Sequence, residues 1–388
     1  MKTRITDLFG IQYPIILSGM SWISTPELVA AVSNAGGLGI LATGVLSPEE
    51  TGYSIAMVRK LTNKPFAANV TLYFPGSEKN LEVILRERVP IVNYSLGKGD
   101  IIAERVHAYG GRVIATITTE KHALVAKRDG ADALIVTGYE AAGHGGAATS
   151  MALIPAIADL IDIPVIAAGG FADGRGLAAA LSLGAEGISM GTRFMNTVES
   201  PVHEVQKKMS VDMGVHDTLY TDRIDGMPAR MMNSAGSRRL MNKRLNPLLA
   251  VTKSAAITKE LGLSWAVIMK GMMKPAGRKK APGAGANKPL QGSAAHDRRK
   301  MKKTSGRISG GIVSSYRTFV RLARMAIGFE AFKKGTLDGD NRKGVLPLGQ
   351  ITGIINDTPN VARVIERIVA EAREVHQALS KKMEAGGI

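Results

Sequence analysis

The most constraining stretch of this sequence is residues 164–194, PVIAAGGFADGRGLAAALSLGAEGISMGTRF. Two short apolar runs predict strands of the kind that a parallel sheet buries on both faces, Pro164–Ala168 and Gly187–Met190. A helix rich in alanine and leucine is predicted between them and ends at Gly184. Each predicted strand leads into a turn of small residues, at Gly169-Gly170 and at Gly191-Thr192.

Two successive strand-to-helix turns of this kind suit a phosphate group. A glycine backbone can approach a ligand closely, and backbone N–H groups and the positive end of a helix converge on one anion there. The turns after strands 7 and 8 of a (β/α)8 barrel often bind phosphate in this way. A single turn of this kind is also expected as a tight turn in an ordinary α/β protein, but two in succession favour a phosphate site.

Apolar runs predict six further strands, which alternate with helical segments along the chain. They are Tyr13–Gly19, Leu38–Ala42, Pro65–Thr71, Ile91–Tyr94, Arg112–Ile117 and Ala133–Thr137. Eight alternating units imply a parallel sheet with right-handed crossovers, and no G-x-G-x-x-G opens the first unit as it would in a Rossmann domain. We therefore predict an α/β protein, a (β/α)8 TIM barrel with a mostly helical inserted domain after strand 8.

The charge of the chain is concentrated in that insertion. The net charge of the 388 residues is +17, but residues 223–324 hold 23 Lys and Arg against three acids, so the remainder is nearly neutral. We predict a barrel over 1–210, an inserted substrate domain over 211–345 and a C-terminal helical segment over 346–388 that returns to the barrel. Within the insertion, residues 246–261 are predicted to be helical. A basic flexible loop is predicted at 274–310, where glycine, proline and cations dominate.

The sequence contains no cysteine. This excludes disulfides, thiolate metal sites and a cysteine nucleophile. The first residues lack the apolar core of a signal peptide, and no stretch is long enough to span a membrane, so we expect a cytoplasmic protein.

Chemistry in (β/α)8 barrels takes place at the carboxyl ends of the strands. The groups predicted there are polar and uncharged, glycine or aromatic, namely Gly19 to Trp22, Asn69, Thr71, Asn93, Thr116, Thr137, Gly169-Gly170 and Gly191-Thr192. Such a neutral site suits an organic cofactor that carries the redox chemistry.

One candidate acid or base follows strand six. His144 lies between glycines in a loop, and a histidine accepts and donates protons near neutral pH. A loop histidine that only hydrogen-bonds a cofactor or the backbone would have the same spacing, so both interpretations stay open.

Three motifs together resemble the nitronate monooxygenase (2-nitropropane dioxygenase) family of FMN-binding barrel flavoenzymes. They are Gly143–Gly146, Gly169–Gly176 and Met190–Phe194. The resemblance covers residues 1 to about 210 and resumes from about 345, with a family-like substrate domain between.

The resemblance implies a role for each matching position. The FMN phosphate would contact Ala168, Gly169, Gly170, Gly191 and Thr192. The isoalloxazine ring would lie over Gly19, Met20 and Ser21, surrounded by Asn69, Thr71, Thr116, Thr137, Ala142 and Gly143. His144 matches the active-site histidine, which deprotonates a nitroalkane or orients the nitronate. The implied reaction converts an alkyl nitronate and O2 to a carbonyl compound and nitrite.

Other activities occur on the same scaffold. Gly19-Met20-x-Trp22 and Asn69-x-Thr71-Leu72 resemble NAD(P)H:quinone reductases, and enoyl-ACP reductases are a further alternative. Relatives commonly carry glutamine in the first-strand motif and some carry lysine near Thr116, so the sequence departs from the family pattern at both places.

A non-enzymatic alternative is polyanion binding through the basic insertion. Residues 274–307 contain no aromatic side chain to stack on bases, so no specific nucleic-acid partner is expected. A weak contact of this segment with an anionic surface is compatible with the sequence, and so is a homodimer.

Overall fold

A computed structural model describes residues 1–72, 76–243 and 316–385 of the chain. Eight parallel strands form one sheet in the order β1-β8-β7-β6-β5-β4-β3-β2, and a parallel bridge between Ile16 and Leu38 joins β1 to β2. The strands are β1 Ile15–Leu17, β2 Gly39–Ala42, β3 Phe66–Thr71, β4 Ile91–Ser95, β5 Arg112–Ile117, β6 Ala133–Thr137, β7 Val165–Ala168 and β8 Gly187–Met190. The predicted (β/α)8 TIM barrel is confirmed.

The bounds of the predicted strands differ from the observed ones mainly in β1. The sequence predicts Tyr13–Gly19, whereas the strand covers three residues. Before it, the amide of Ile15 donates to the carbonyl of Tyr13 across Pro14 in a tight turn. After it, the chain turns away at Met20, whose amide donates to Ser24 Oγ.

Helices cover the outside of the barrel, and their packing against the strands forms the main core. They are α2 Pro26–Asn34, α3 Pro48–Leu61, α4 Ser77–Arg86, α5 Asp100–His107, α6 Glu120–Arg128, α7 Ser150–Ala158 and α8 Gly174–Ser182. Helix α1, Arg4–Phe9, precedes β1 and packs its buried Ile5 and Phe9 against the interior of the barrel instead. A second cluster, which contains Ile16, Ile40, Ile114 and Ile166, fills the barrel interior with one apolar side chain from most strands.

A mixed region follows β8. It contains α9 Thr192–Met195, α10 Glu204–Val211, β9 Thr218–Thr221, β10 Ala229–Met232, α11 Ala235–Asn242, α12 Tyr316–Asp338, a 3₁₀ helix Gln350–Ile354 and α13 Val361–Ala385. The antiparallel hairpin β9–β10 is not predicted by the sequence. The helix predicted over 246–261 and the loop predicted at 274–310 lie outside the described residues.

The chain divides into two compact units. One comprises Met1–Arg244 with Ile327–Ile388, and the other comprises Leu245–Ala326. The domain boundaries near 210 and 345 stay predictions. No helix in the described ranges is long and apolar enough to cross a membrane.

The C-terminal helix α13 packs against α8 and α2, beside the last strand of the barrel. Buried Arg193, from the MGTRF motif, joins it to α9: Arg193 Nη1 lies 2.8 Å from Asp357 Oδ1, just before α13. Arg367 on α13 donates to the other carboxylate oxygen of Asp357 at 2.6 Å. Burial raises the pKa of Asp357, but the hydrogen bonds from Arg367 and Arg193 outweigh burial and leave this pKa below its usual value.

We expect Asp357→Asn to lower the free energy of unfolding by about 1–3 kcal/mol at neutral pH, because it leaves buried Arg193 with fewer acceptors. Since the pKa of Asp357 is lowered by folding, this contribution is complete above about pH 4 and is lost as the pH falls through the lower, folded value. Urea unfolding of the native protein and of Asp357→Asn from pH 7 to pH 3 measures this difference in the free energy of unfolding. Glu366→Gln, at an exposed ion pair of 3.8 Å, is the control and should have almost no effect.

Candidate active site

The turns after β7 and β8 form the glycine cradle of this site, which we define as Gly169, Gly170, Gly191 and Thr192. Gly169 and Gly170 have φ values of +93° and +84°, a conformation that side chains with a Cβ atom rarely adopt. The amides of Gly170, Gly191 and Thr192 make no hydrogen bond to any group in the described ranges. Three backbone donors are therefore left for an anion.

The turn after β1 lies directly beside the cradle. Gly19 approaches β3 so closely that a Cβ atom on it would lie 2.7 Å from Asn69 Cβ. The next residue, Met20, reaches across to β8, where its sulfur would lie 3.2 Å from a Cβ atom on Gly191. Ser21 follows in the same turn. Gly19, Met20 and the cradle thus share one end of the barrel.

A row of polar side chains crosses the ends of β3, β4 and β5. Asn69 Nδ2 donates to Asn93 Oδ1 at 2.6 Å, and Asn93 Nδ2 donates to Thr116 Oγ1 at 3.0 Å. Thr71 Oγ1 donates to Asn69 Oδ1 at 3.3 Å. Asn93 belongs to this row although the resemblance assigns it no role. The row is neutral and can match the polar edge of a planar ring.

The loop after β6 completes the site on the side of the cradle. Thr137, at the end of β6, pairs with Ala168 in the ladder. Gly349 lies close to this loop, and a Cβ atom on it would lie 3.1 Å from Thr192 Oγ1 and 3.2 Å from the amide of Ala142. The amide of Gly349 donates to Thr192 Oγ1 at 3.1 Å, so the threonine of the cradle is held by the returning C-terminal segment.

His144 is paired with an acid from the hairpin. Its Nε2 lies 2.7 Å from Asp225 Oδ2, and Asp225 lies in the turn between β9 and β10. The Asp225 side chain is 3% exposed and that of His144 is 28% exposed, so a buried carboxylate supports a partly accessible ring. Asp225 also contacts α12 at Gly328, where a Cβ atom would lie 2.6 Å from Asp225 Cβ.

The hairpin is attached to the histidine loop through Arg230. Gly143 and Arg230 exchange two backbone hydrogen bonds of 2.9 Å. The buried guanidinium of Arg230 lies 4.5 Å from the ring centre of Tyr139 and 5.5 Å from that of Tyr220, and its Nε donates to the carbonyl of Tyr139. Burial raises the pKa of Tyr220, more than the positive charge of Arg230 lowers it.

The structure therefore gathers the predicted residues around one barrel mouth and adds three that the sequence did not identify, Asp225, Arg230 and Tyr220. One signal in the sequence pointed to Asp225. It is one of only three acids among 23 cations, and the Asp-Gly dipeptide to which it belongs is typical of a hairpin turn. Whether the gathered residues bind a cofactor stays a prediction.

Comparison with known proteins decides the family. The model of the nitronate monooxygenase family matches residues 2–80 and 73–371. The chain belongs to the nitronate monooxygenase family. The members of this family are flavoenzymes, and its named relatives are oxidoreductases.

Two relatives in this family match almost the whole chain. One, from Rhodococcus jostii strain RHA1, is named (3aS,4S,5R,7aS)-5-hydroxy-7a-methyl-1-oxo-octahydro-1H-indene-4-carboxyl-CoA dehydrogenase and is 34% identical over 96% of each chain. A protein of the same name from Mycobacterium tuberculosis is 32% identical over 99% of each. A probable nitronate monooxygenase from Staphylococcus saprophyticus is 33% identical, but over 59% of this chain and 78% of its own.

Solved structures of similar proteins agree with the barrel. FabK from Thermotoga maritima has a TM-score of 0.74 at 30% identity, over 98% of this chain and 99% of its own. Nitroalkane oxidase from Streptomyces ansochromogenes has a TM-score of 0.67 at 24% identity, over 97% of this chain and 99% of its own. At that identity the second likeness supports the fold alone.

Gly328 provides a test of the packing that supports the His144–Asp225 pair in this family member. We expect Gly328→Ala to lower the free energy of unfolding by about 1–3 kcal/mol, because the new methyl group overlaps Asp225 and the backbone of Ile224. Gly52→Ala, inside α3, places its Cβ atom 3.7 Å from the nearest atom and should be neutral or stabilising. Urea unfolding of both variants checks this, and equal stabilities would contradict it.

Proposed function

We propose that this protein is an FMN-dependent oxidoreductase that dehydrogenates CoA thioesters. The observation that carries the proposal is the extent of the match to the two relatives named carboxyl-CoA dehydrogenases. They align with 96% and 99% of this chain, which includes its insertion, whereas the probable nitronate monooxygenases cover 59–60%. A substrate class shared with the full-length relatives is therefore favoured.

The residues at the barrel mouth fit FMN. The glycine cradle offers backbone donors to the FMN phosphate, and the neutral row of Asn69, Asn93 and Thr116 offers donors and acceptors to the ring edge. Gly19 packs directly against Asn69, where the Cβ atom of any other residue would collide, so the turn after β1 stays close to this row. Bound FMN would supply the acceptor for a hydride, which protein side chains cannot supply.

His144 would handle the proton of such a reaction. A carbon next to a thioester carbonyl is acidic because the electron pair left by the proton is delocalised onto oxygen. His144 is partly exposed at the mouth, and buried Asp225 stabilises the positive charge that the ring acquires when it takes a proton.

The charge of the insertion supports a CoA substrate. CoA carries three phosphate groups, and residues 223–324 carry 23 cations against three acids. Such an excess attracts a polyanionic substrate and raises its rate of association. The same charge underlies the predicted contact with anionic surfaces, which stays a prediction, as do the homodimer and the NAD(P)H:quinone reductase activity.

Nitronate oxidation is the second candidate. The family model carries that name, and the proteins named probable nitronate monooxygenase align at 31–33% identity. A nitroalkane resembles a thioester in its chemistry, since loss of the proton from its carbon also leaves a negative charge that is delocalised onto oxygen. With O2, oxidation of the nitronate would give a carbonyl compound and nitrite.

Anaerobic mixing of the purified protein with each substrate class distinguishes these activities. We expect cyclic or linear carboxyl-CoA thioesters to bleach the flavin absorbance, and the matching free carboxylic acids to leave it unchanged. Bleaching by propyl-2-nitronate alone, with nitrite formed when air is admitted, would establish the second candidate instead. Bleaching by NADH alone would identify a reductase.

A second prediction concerns FMN binding at the glycine cradle. Gly170→Ala should weaken FMN binding at least tenfold, about 1.4 kcal/mol, because a left-handed backbone costs alanine about 1–2 kcal/mol and a relaxed turn moves the amide. Gly184→Ala is the matched control, since its φ of +86° is nearly that of Gly170 but it lies before β8, at the opposite end of the strands. Titration of the apoprotein with FMN, followed by fluorescence, measures both. Equal loss in the two variants would contradict a phosphate site at the cradle.

A further inference from the structure

Both oxygens of the Asp225 carboxylate are committed within the described residues. Oδ2 lies 2.7 Å from His144 Nε2, and Oδ1 accepts a hydrogen bond of 3.1 Å from the amide of Met227. With a side chain 3% exposed, Asp225 is shielded from water that would compete for these contacts. An ionised carboxylate can only accept, so the hydrogen between Asp225 and His144 must lie on Nε2.

This contact assigns the two ring nitrogens different roles. If Nε2 carries the hydrogen, the neutral ring has its lone pair on Nδ1. Nδ1 makes no hydrogen bond to any group in the described part of the chain. It is the nitrogen that remains for a substrate.

From this geometry we infer that Asp225 is a positioning residue, which holds His144 in the Nε2–H tautomer and makes Nδ1 the atom that takes the substrate proton. The inference rests on the proposed function for the identity of that substrate. The C–H bond next to the thioester carbonyl breaks, an N–H bond forms at Nδ1, and the electron pair stays on the substrate. As that electron pair becomes the new C=C bond, the hydride of the adjacent carbon would pass to the FMN of the proposed function, which is the oxidant.

The backbone around the pair holds both partners in place. Gly143, which precedes His144, exchanges two hydrogen bonds with Arg230, five residues after Asp225. On its other side, Asp225 is packed against Gly328 of α12. The acid and the ring are therefore fixed on two segments that are themselves joined, as a positioning role requires.

Asparagine at position 225 should reverse the tautomer. The amide of Met227 needs an oxygen acceptor, so the oxygen of Asn should stay at the Oδ1 position. Its NH2 group then occupies the Oδ2 position and donates to His144 Nε2. The ring hydrogen must move to Nδ1, which can no longer accept a proton. In a Ser-His-Asp catalytic triad, the Asp→Asn change that reverses the tautomer of the histidine lowers turnover by about 10⁴-fold.

Nitrogen NMR of the protein labelled with ¹⁵N-histidine tests the tautomer without any activity measurement. Protonated and unprotonated ring nitrogens differ widely in chemical shift, and His144→Asn identifies the signal among seven histidines. In mildly alkaline buffer we expect Nε2–H in the native chain and Nδ1–H in Asp225→Asn. The control Asp222→Asn removes an exposed acid of the same hairpin turn and should leave the native pattern. A native ring protonated on Nδ1 would overturn the inference.

Proton removal is tested separately, by mass spectrometry of hydrogen exchange in D2O at the carbon next to the thioester carbonyl. We expect Asp225→Asn to slow this exchange by about 10²–10⁴-fold with KM nearly unchanged, and Asp222→Asn to match the native rate. A reversed tautomer with undiminished exchange would show that Nδ1 is not the base. If the native protein exchanges no CoA thioester, the proposed function fails, while the NMR result still decides the role of Asp225.

Discussion

The pair of backbone hydrogen bonds between Gly143 and Arg230 is the contact on which the candidate site depends. It joins a loop of the barrel to a hairpin that lies more than 80 residues further along the chain. Because the bonds fix Gly143, they also fix His144, and because they fix β10, they bring the turn with Asp225 to the same ring. Arg230 adds its side chain, which packs on Tyr139 and donates to the carbonyl of the same residue. Without this contact the histidine would be an ordinary loop residue between glycines.

The site therefore has two halves of different origin. The half expected to hold the cofactor comes from strand ends and consists of glycines and neutral amides, which the barrel holds rigidly. The half proposed to handle protons combines His144, from the loop after β6, with a hairpin after the barrel that supplies the buried acid and the buried guanidinium. Arg230 is stabilised by two aromatic rings and a carbonyl, and makes no ion pair with a carboxylate in the described ranges.

The two halves also differ in how far the sequence predicts them. Buried parallel strands are continuous apolar runs that end at small residues, so the barrel and the glycine cradle can be recognised from local pattern alone. The hairpin has strands of only four residues. All four residues of β9 are half-buried and all four of β10 are buried, so neither strand shows an alternation of apolar and polar positions. Asp225 meets His144 across 81 positions, a contact that no local pattern encodes. The sequence identified the histidine and its glycines, but its partner required the fold.

One scaffold can serve nitroalkanes and thioesters because both are carbon acids, and loss of their proton leaves a negative charge that is delocalised onto oxygen. The base proposed at His144, held in one tautomer, suits either reaction, so the barrel mouth alone does not select between them. Under the proposed function, selection comes from the parts of the substrate that do not react. In this chain residues 223–324 hold 23 Lys and Arg against three acids, whereas the remainder is nearly neutral. A nitronate is too small to benefit from such a charge at a distance, whereas CoA presents its phosphates far from the thioester. The distribution of charge is thus the feature of the sequence that supports the thioester as the proposed substrate.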